Sequence, residues 1–412
     1  MPSASSSMPA STVESSREHQ GRSAATADPE FAVYVHWPFC VSKCPYCDFN
    51  SHVRDAIDQA RWSRALVADL GSALDEAPAG VVRPVASVFF GGGTPSLMVP
   101  ETVDSVLGVL SRRGLIDKGS EVTLEANPSS AEAERFADYR AAGVNRLSVG
   151  VQALDDEALR FLGRTHDVAE AMEAVSAARE VFDRVSFDLI YARAGQTPQS
   201  WRGELERVLA LRPRHVSLYQ LTIERGTRFH EAHARGDLVL PGEDDAALMY
   251  EETVTRCRAS GLEAYEVSNF AAPGEKCRHN LVYWRSGDWL GVGPGAHGRL
   301  GQGEGRTATR RWRSPEKWLG AVEGSGSGLE AMEALDMPTR AAEALMMGLR
   351  LMEGVSVERF ERMVGQTPED YIGSDRLRRH VGGGFLKTSQ EGMRTTLRGR
   401  AVLNTLLSEL LP

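Results

Sequence analysis

Six short apolar runs, each separated from the next by enough chain for a helix, constrain this sequence more than any other feature. They are the run ending at Tyr34-Val35-His36-Trp37, then Val85–Phe90, Glu121–Ala126, Arg146–Gln152, Arg184–Ile190 and His215–Leu221. Near-continuous apolar runs of this length are expected of parallel strands covered on both faces. Between the first two, Asp55 to Ala77 carries Ala56, Ala60, Trp62, Leu66, Leu70 and Leu74 at helical spacing, with Pro78 just beyond. Pro128 ends the third run, and Ser129 or Ser130 is positioned to cap a helix starting near Ala131. The repeat predicts an α/β fold built on a partial, open (β/α)6 barrel. The chain has 412 residues, room for a barrel of about 200 to 250 residues and a second domain.

In parallel barrels the chemistry gathers at the C-terminal ends of the strands. Glu125, Gln152, Asp188 and Gln220 all fall near or just past such an end, and Gly91-Gly92-Gly93-Thr94 follows the second run. Polar residues open loops everywhere. Four in register with a triple glycine, whose backbone can approach a ligand closely, point to one shared pocket.

The first run leads into Cys40, Cys44 and Cys47, three of the five cysteines of the chain. Thiolates are soft ligands, and three of them in so short a loop make a bowl that leaves one coordination site open, as for a [4Fe-4S] cluster with an exchangeable fourth iron ligand. Zinc is the competing reading. It would need a fourth ligand such as His36 or His52, and structural zinc sites usually pair two short Cys knuckles. A disulfide would leave one cysteine over, and no apolar secretory segment marks the start of the chain.

The Cys40-x3-Cys44-x2-Cys47 loop, with Tyr46 before the last cysteine, resembles the cluster-binding signature of radical S-adenosylmethionine (SAM) enzymes. Tyr34 through Ser51 resembles the branch holding oxygen-independent coproporphyrinogen III oxidases and related heme chaperones. The oxidases carry a fourth cysteine two residues after the third; Phe49 stands there in this chain, in the chaperone-like form. The resemblance implies that Gly92, Gly93 and Thr94 meet the methionyl end of SAM, that Glu125 meets its polar groups, and that Tyr34 and Tyr46 flank it. Gln152, Arg164 and Asp188 match positions that line a second SAM in the oxidases. After Ile190, Ala192 and Ala194 replace the glycine and proline usual in the family.

Further on, His279-Asn280-Leu281-Val282-Tyr283-Trp284 matches a motif of the heme-chaperone branch. A neutral imidazole suits heme iron, and Tyr283, Trp284 and Trp289 offer stacking surfaces. The resemblance therefore implies heme ligation by His279, with Cys277 a weaker thiolate alternative; a hydrogen-bonded core histidine is the plain structural reading. Arg306, Arg310, Arg311 and Arg313 around Trp312 read first as a solvated basic face, second as partners for porphyrin propionates.

Residues 1–28 read as a disordered tail, 29–270 as the barrel, and 271–330 as an extension ending in the flexible Gly324-Ser325-Gly326-Ser327-Gly328 linker. Residues 331–412 read as a smaller, mainly α, winged-helix-like domain. That last unit lacks a recognition helix rich in Arg and Asn, and the net charge of −9 gives no general attraction to nucleic acid. No apolar run reaches the ~20 residues of a membrane span. The expected protein is cytoplasmic, a monomer or dimer, carrying a cluster, SAM and heme, and delivering heme to acceptor proteins that include membrane-associated ones. The alternative is an enzyme that decarboxylates coproporphyrinogen III with a SAM-derived radical.

Overall fold

The computed structural model describes residues 30–411; the expected N-terminal tail lies outside them. All six predicted strands form: β1 (Phe31–Trp37), β2 (Val85–Gly92), β3 (Glu121–Ala126), β4 (Arg146–Gln152), β5 (Arg184–Tyr191) and β6 (His215–Gln220). They pair in sequence order, each parallel to the last. Their side chains are buried almost throughout because helices cover the outer face. The first, α1 (Gln59–Glu76), starts at Asp58, whose carboxylate accepts from the Arg61 backbone N–H.

The sheet is larger than predicted. β7 (Glu263–Ala264) and β8 (Asn269–Ala271) add antiparallel beyond β6. On the other side β9 (Asp288–Val292) pairs parallel to β1, and β10 (His297–Leu300), β11 (Thr307–Arg311) and β12 (Leu329–Ala334) follow antiparallel, giving twelve strands. The Gly324–Gly328 run, expected as a linker, instead closes the helix Pro315–Ser325 and leads straight into β12.

Asp69 of α1 ties this extension to the barrel. It is fully buried, accepts from the Trp318 indole at 3.1 Å and from the Gly293 and Gly328 backbones, and lies 3.3 Å from the Arg311 guanidinium. Around it Trp37, Phe39, Trp62 and Trp318 pack edge-on or stacked, with ring centroids 4.8 to 6.1 Å apart.

After β12 the chain forms a small helical unit with a three-stranded sheet, Val355–Ser356, Leu386–Thr388 and Gly392–Thr395. It has its own core around Leu345, Phe360 and Leu410. Two helices, Pro368–Ile372 and Ser374–Gly382, meet at Gly373, which takes φ of +91°. The C-terminal helix is likewise interrupted at Val402. Ion pairs Arg285–Glu353, Arg299–Glu343 and Arg350–Glu266, at 2.7 to 3.0 Å, hold the unit against the barrel.

Candidate cluster and cofactor site

Cys40 ends a short strand, Phe39–Cys40, that pairs with His52–Val53, so the cysteine loop is closed on itself at the end of β1. The triple-glycine loop packs directly on it. Gly93 N–H donates to Trp37 O at 2.7 Å and Thr94 N–H to Phe39 O at 2.8 Å. Any side chain at Gly93 would stand 2.7 Å from Phe39 O and 3.0 Å from Cys40 Sγ, and Gly92 has φ of +115°. Glycine is required at both positions by contact and by conformation.

Each of the three sulfurs has a polar neighbour. The Thr94 hydroxyl donates to Cys40 Sγ at 3.4 Å, the Arg164 guanidinium to Cys44 Sγ at 3.6 Å, and the Ser51 hydroxyl lies 4.0 Å from Cys47 Sγ. Arg164 also donates to Asn127 Oδ1 at 2.5 Å, and the Asn127 amide donates to Thr94 Oγ1 at 3.2 Å. One chain of hydrogen bonds thus joins the surroundings of two sulfurs. Such donors suit sulfur that carries thiolate charge. Burial raises the Cys40 and Cys47 thiols above their ordinary range, so the charged form needs bound metal to compensate it. Among the described residues no three His, Cys, Asp or Glu side chains converge to hold a single metal ion; a cluster takes one thiolate per iron and does not ask them to.

Beside this loop a cavity of about 750 Å³ runs through the open barrel. Tyr34, Gly92, Glu125, Asp188, Cys277 and His279 all line it, whereas Cys40, Cys44, Cys47, Gly93, Thr94, Tyr46, Gln152 and Arg164 are not among its lining residues. Glu125 accepts from the Gly92 N–H at 3.3 Å; burial, reinforced by Asp188, pushes its carboxyl up to about 8. Asp188 is raised chiefly by burial although Ser148 donates to it at 3.0 Å. It stands mid-strand in β5, three residues before the strand's end at Tyr191 where a site residue was expected. The Tyr34 hydroxyl hydrogen-bonds His36 Nδ1 at 3.0 Å while His36 Nε2 meets Asn50 O at 2.9 Å. Burial lowers His36 to about 4, so the ring is neutral.

Tyr46 sits by Cys44 and Arg164, raised by burial. Gln152 has φ of +69° and folds its amide toward Gly150, where a Cβ would lie 2.8 Å from it. Gln220 is exposed at the end of β6; Tyr219, one residue earlier, lines the cavity instead. In the altered loop after β5, Ala192 takes φ of +54°, a conformation natural to the glycine it replaces.

His279 is placed against the cavity but not free. Its Nδ1 bonds the Ser87 hydroxyl and its Nε2 the Tyr283 hydroxyl, both at 2.9 Å, and the ring stacks on Phe89. Burial lowers it to about 3. Cys277 is buried beside Glu121. The basic run is split: Arg306 and Arg311 are buried and paired with Asp288 and Asp69, while Arg310 and Arg313 are exposed at the cavity mouth. A solvated face describes only half of it. No sequence motif gives Asn127 or Ser51 a role, and His36 carries only that of a possible fourth zinc ligand, whereas its two nitrogens are engaged with Tyr34 and Asn50; the signal for the other two is nearness to the cysteines and the third strand's end.

Residues 34–208 match the radical SAM superfamily and 335–402 the HemN C-terminal domain. The chain is 36% identical to the heme chaperone HemW of Escherichia coli, over 92% of this chain and 97% of that protein. The chain belongs to the HemW family of radical SAM proteins. It is also 41% identical to the mitochondrial radical S-adenosyl methionine domain-containing protein 1 of Mus musculus, over 95% of this chain and 90% of that one. The coproporphyrinogen III oxidase HemN of Escherichia coli shares the fold, with a TM-score of 0.74 at 23% identity, across 94% of this chain and 91% of that one. Among the described residues of this HemW-family chain, no helix is long and apolar enough to cross a membrane.

Proposed function

We propose that the protein is a heme chaperone: it binds heme and passes it to acceptor apoproteins, and it carries a [4Fe-4S] cluster with exchangeable SAM. The observation that carries this reading is the cavity, whose aromatic wall of Phe89, Tyr283 and Trp289 suits a flat macrocycle and whose mouth bears exposed arginines. Phe49, where the oxidases carry a fourth cysteine, and the 36% identity to a named heme chaperone support the same reading.

Cys40, Cys44 and Cys47 would hold the cluster as thiolates, which supplies an open iron for SAM. Gly92, Gly93 and Thr94 present backbone to the methionyl end, Glu125 accepts from its polar groups, and Tyr34 and Tyr46 bound the site; Arg164, Gln152 and Asp188 extend it. What the chain itself does there is orient and exclude water. The glycine loop is fixed by Trp37 O and Phe39 O, and Arg164 neutralises sulfur charge near Cys44. His279, Tyr283 and Trp284 form the inner wall on the heme side. The protein acts in the cytoplasm as a monomer or dimer, and its acceptors include membrane-associated respiratory proteins.

Anaerobic titration of the cluster-loaded protein with heme, beside an assay of coproporphyrinogen III decarboxylation with SAM and a reductant, tests the proposal. Saturable one-to-one heme binding without turnover supports it. Turnover with no heme binding refutes it in favour of the oxidase.

A further inference from the structure

We propose that His297, rather than His279, supplies the axial ligand to bound heme iron, with Arg313 and Arg310 pairing the propionates at the cavity mouth. The inference rests on the heme-carrier reading above and names the residues that do the carrying.

The two histidines stand on the same cavity in opposite circumstances. His279 is 2% exposed, and both its nitrogens are engaged, one with the buried Ser87 hydroxyl and the other with the hydroxyl of Tyr283, which is half-buried against the cavity. To reach a metal it would have to surrender the Tyr283 bond and leave its stack on Phe89, whose centroid is 4.9 Å away. Breaking a buried hydrogen bond strands the partner left behind. His297, first residue of β10, is exposed, and its imidazole makes no hydrogen bond among the described residues. Its strand partner is Arg310.

The neighbouring groups fit the rest of the cargo. Phe49 is 58% exposed at the same mouth, a large aromatic left in the open, and it offers a face for stacking on a porphyrin. Arg313 is exposed and forms no ion pair among the described residues; only Asn50 Oδ1, at 3.4 Å, lies within reach of its Nε. Arg310 pairs with Glu330 at 2.7 Å in an exposed bridge. Such bridges contribute little, so a propionate can take Glu330's place at small cost. Guanidinium is the cation best matched to a carboxylate.

The bond formed is a coordination bond. A lone pair on an imidazole nitrogen of His297 enters the coordination sphere of ferric heme and displaces bound water, with no electron transferred. An exposed ligand also suits handover, because an acceptor's own ligand can reach the iron and exchange with His297. A ligand at the depth of His279 would have to be unburied first.

The test is a titration of the full-length, cluster-loaded chain with hemin under anaerobic conditions. It is followed by Soret absorbance and by low-temperature EPR of the ferric heme in the wild type, His297→Ala, His279→Asn and Arg313→Gln. The expected result is an imidazole-ligated spectrum in the wild type and in His279→Asn. In His297→Ala that signature is lost and affinity falls by about tenfold or more, the equivalent of ~1.4 kcal/mol or more. Arg313→Gln weakens hemin about tenfold but leaves the binding of its dimethyl ester unchanged. An unchanged signature and affinity in His297→Ala overturn the inference while leaving the carrier reading intact. A wild type that takes up no hemin removes the carrier reading and the inference with it. Bound iron and circular dichroism of each variant identify any loss that comes from misfolding.

Discussion

Glu125→Gln separates the electrostatics of the cavity from its shape. Burial, with Asp188 adding, lifts the carboxyl from 4.5 to about 8. Between those limits Glu125 is protonated in the folded chain and ionised in the unfolded one, so the folded state binds more protons and stability falls as pH rises through the window. Each pKa unit is worth ~1.36 kcal/mol, which puts the full penalty at about 5 kcal/mol at and above pH 8 and near zero below pH 4.5. Glutamine keeps the size and an acceptor for the Gly92 N–H but cannot ionise. Urea denaturation of both proteins without SAM, at intervals from pH 5 to 8, should show the wild type losing stability and the variant changing far less, with the gap widening toward pH 8. SAM, which brings a positive amino group, should narrow that gap. Parallel stability curves across the range, or a gap that closes as pH rises, would refute the account of the cavity as a dry, carboxylate-bearing pocket.

Removing Asp69 should be costly for a different reason. Asp69→Ala leaves the Arg311 charge, the Trp318 indole and two backbone N–H groups without their partner in the core, and a loss of about 3 to 5 kcal/mol is expected in the unfolding free energy from urea denaturation; a loss below 1 kcal/mol would contradict the role given to it. Ala192→Gly should raise stability by about 0.5 to 1 kcal/mol, because φ of +54° penalises alanine more than glycine's extra freedom in the unfolded chain costs. A destabilised variant in the same denaturation assay would refute that. Cys44→Ala should abolish the brown colour and bound iron of anaerobically purified protein while far-ultraviolet circular dichroism stays unchanged, and full iron content in the variant would exclude Cys44 as a ligand.

The six parallel strands were legible because strands covered on both faces leave continuous apolar runs, and the cysteine loop stands out as a candidate site because three cysteines so close together have few uses. β9 carries no strand signal in the sequence. It is five residues long, carries two glycine-flanked turns around it, and starts with an Asp that is buried only because Arg83 and Arg306 reach it from other elements. The same distance effect hid half of the basic run: Arg311 looks like its exposed neighbours until α1 brings Asp69 to it. The Gly-Ser segment reads as flexible by composition, yet Gly328 must sit where any side chain would meet the Trp318 indole, at 2.1 Å. Motif matching found His279, but whether an imidazole is free or already bonded depends on Ser87 and Tyr283, one of them distant in the chain.

The hydrogen bonds from Gly93 to Trp37 and from Thr94 to Phe39, together with the Arg164–Asn127–Thr94 chain, tie the cysteine loop and the glycine loop into one piece. Neither can shift by much without dragging the other. If Cys40, Cys44 and Cys47 hold a cluster as proposed, oxidative loss of its iron would reach beyond the metal: relaxation of the cysteine loop would take away the support of the shelf proposed to cradle SAM. A cell exposed to oxygen would then hold molecules that have dropped metal and nucleotide together, and intermediate forms with one but not the other should be scarce.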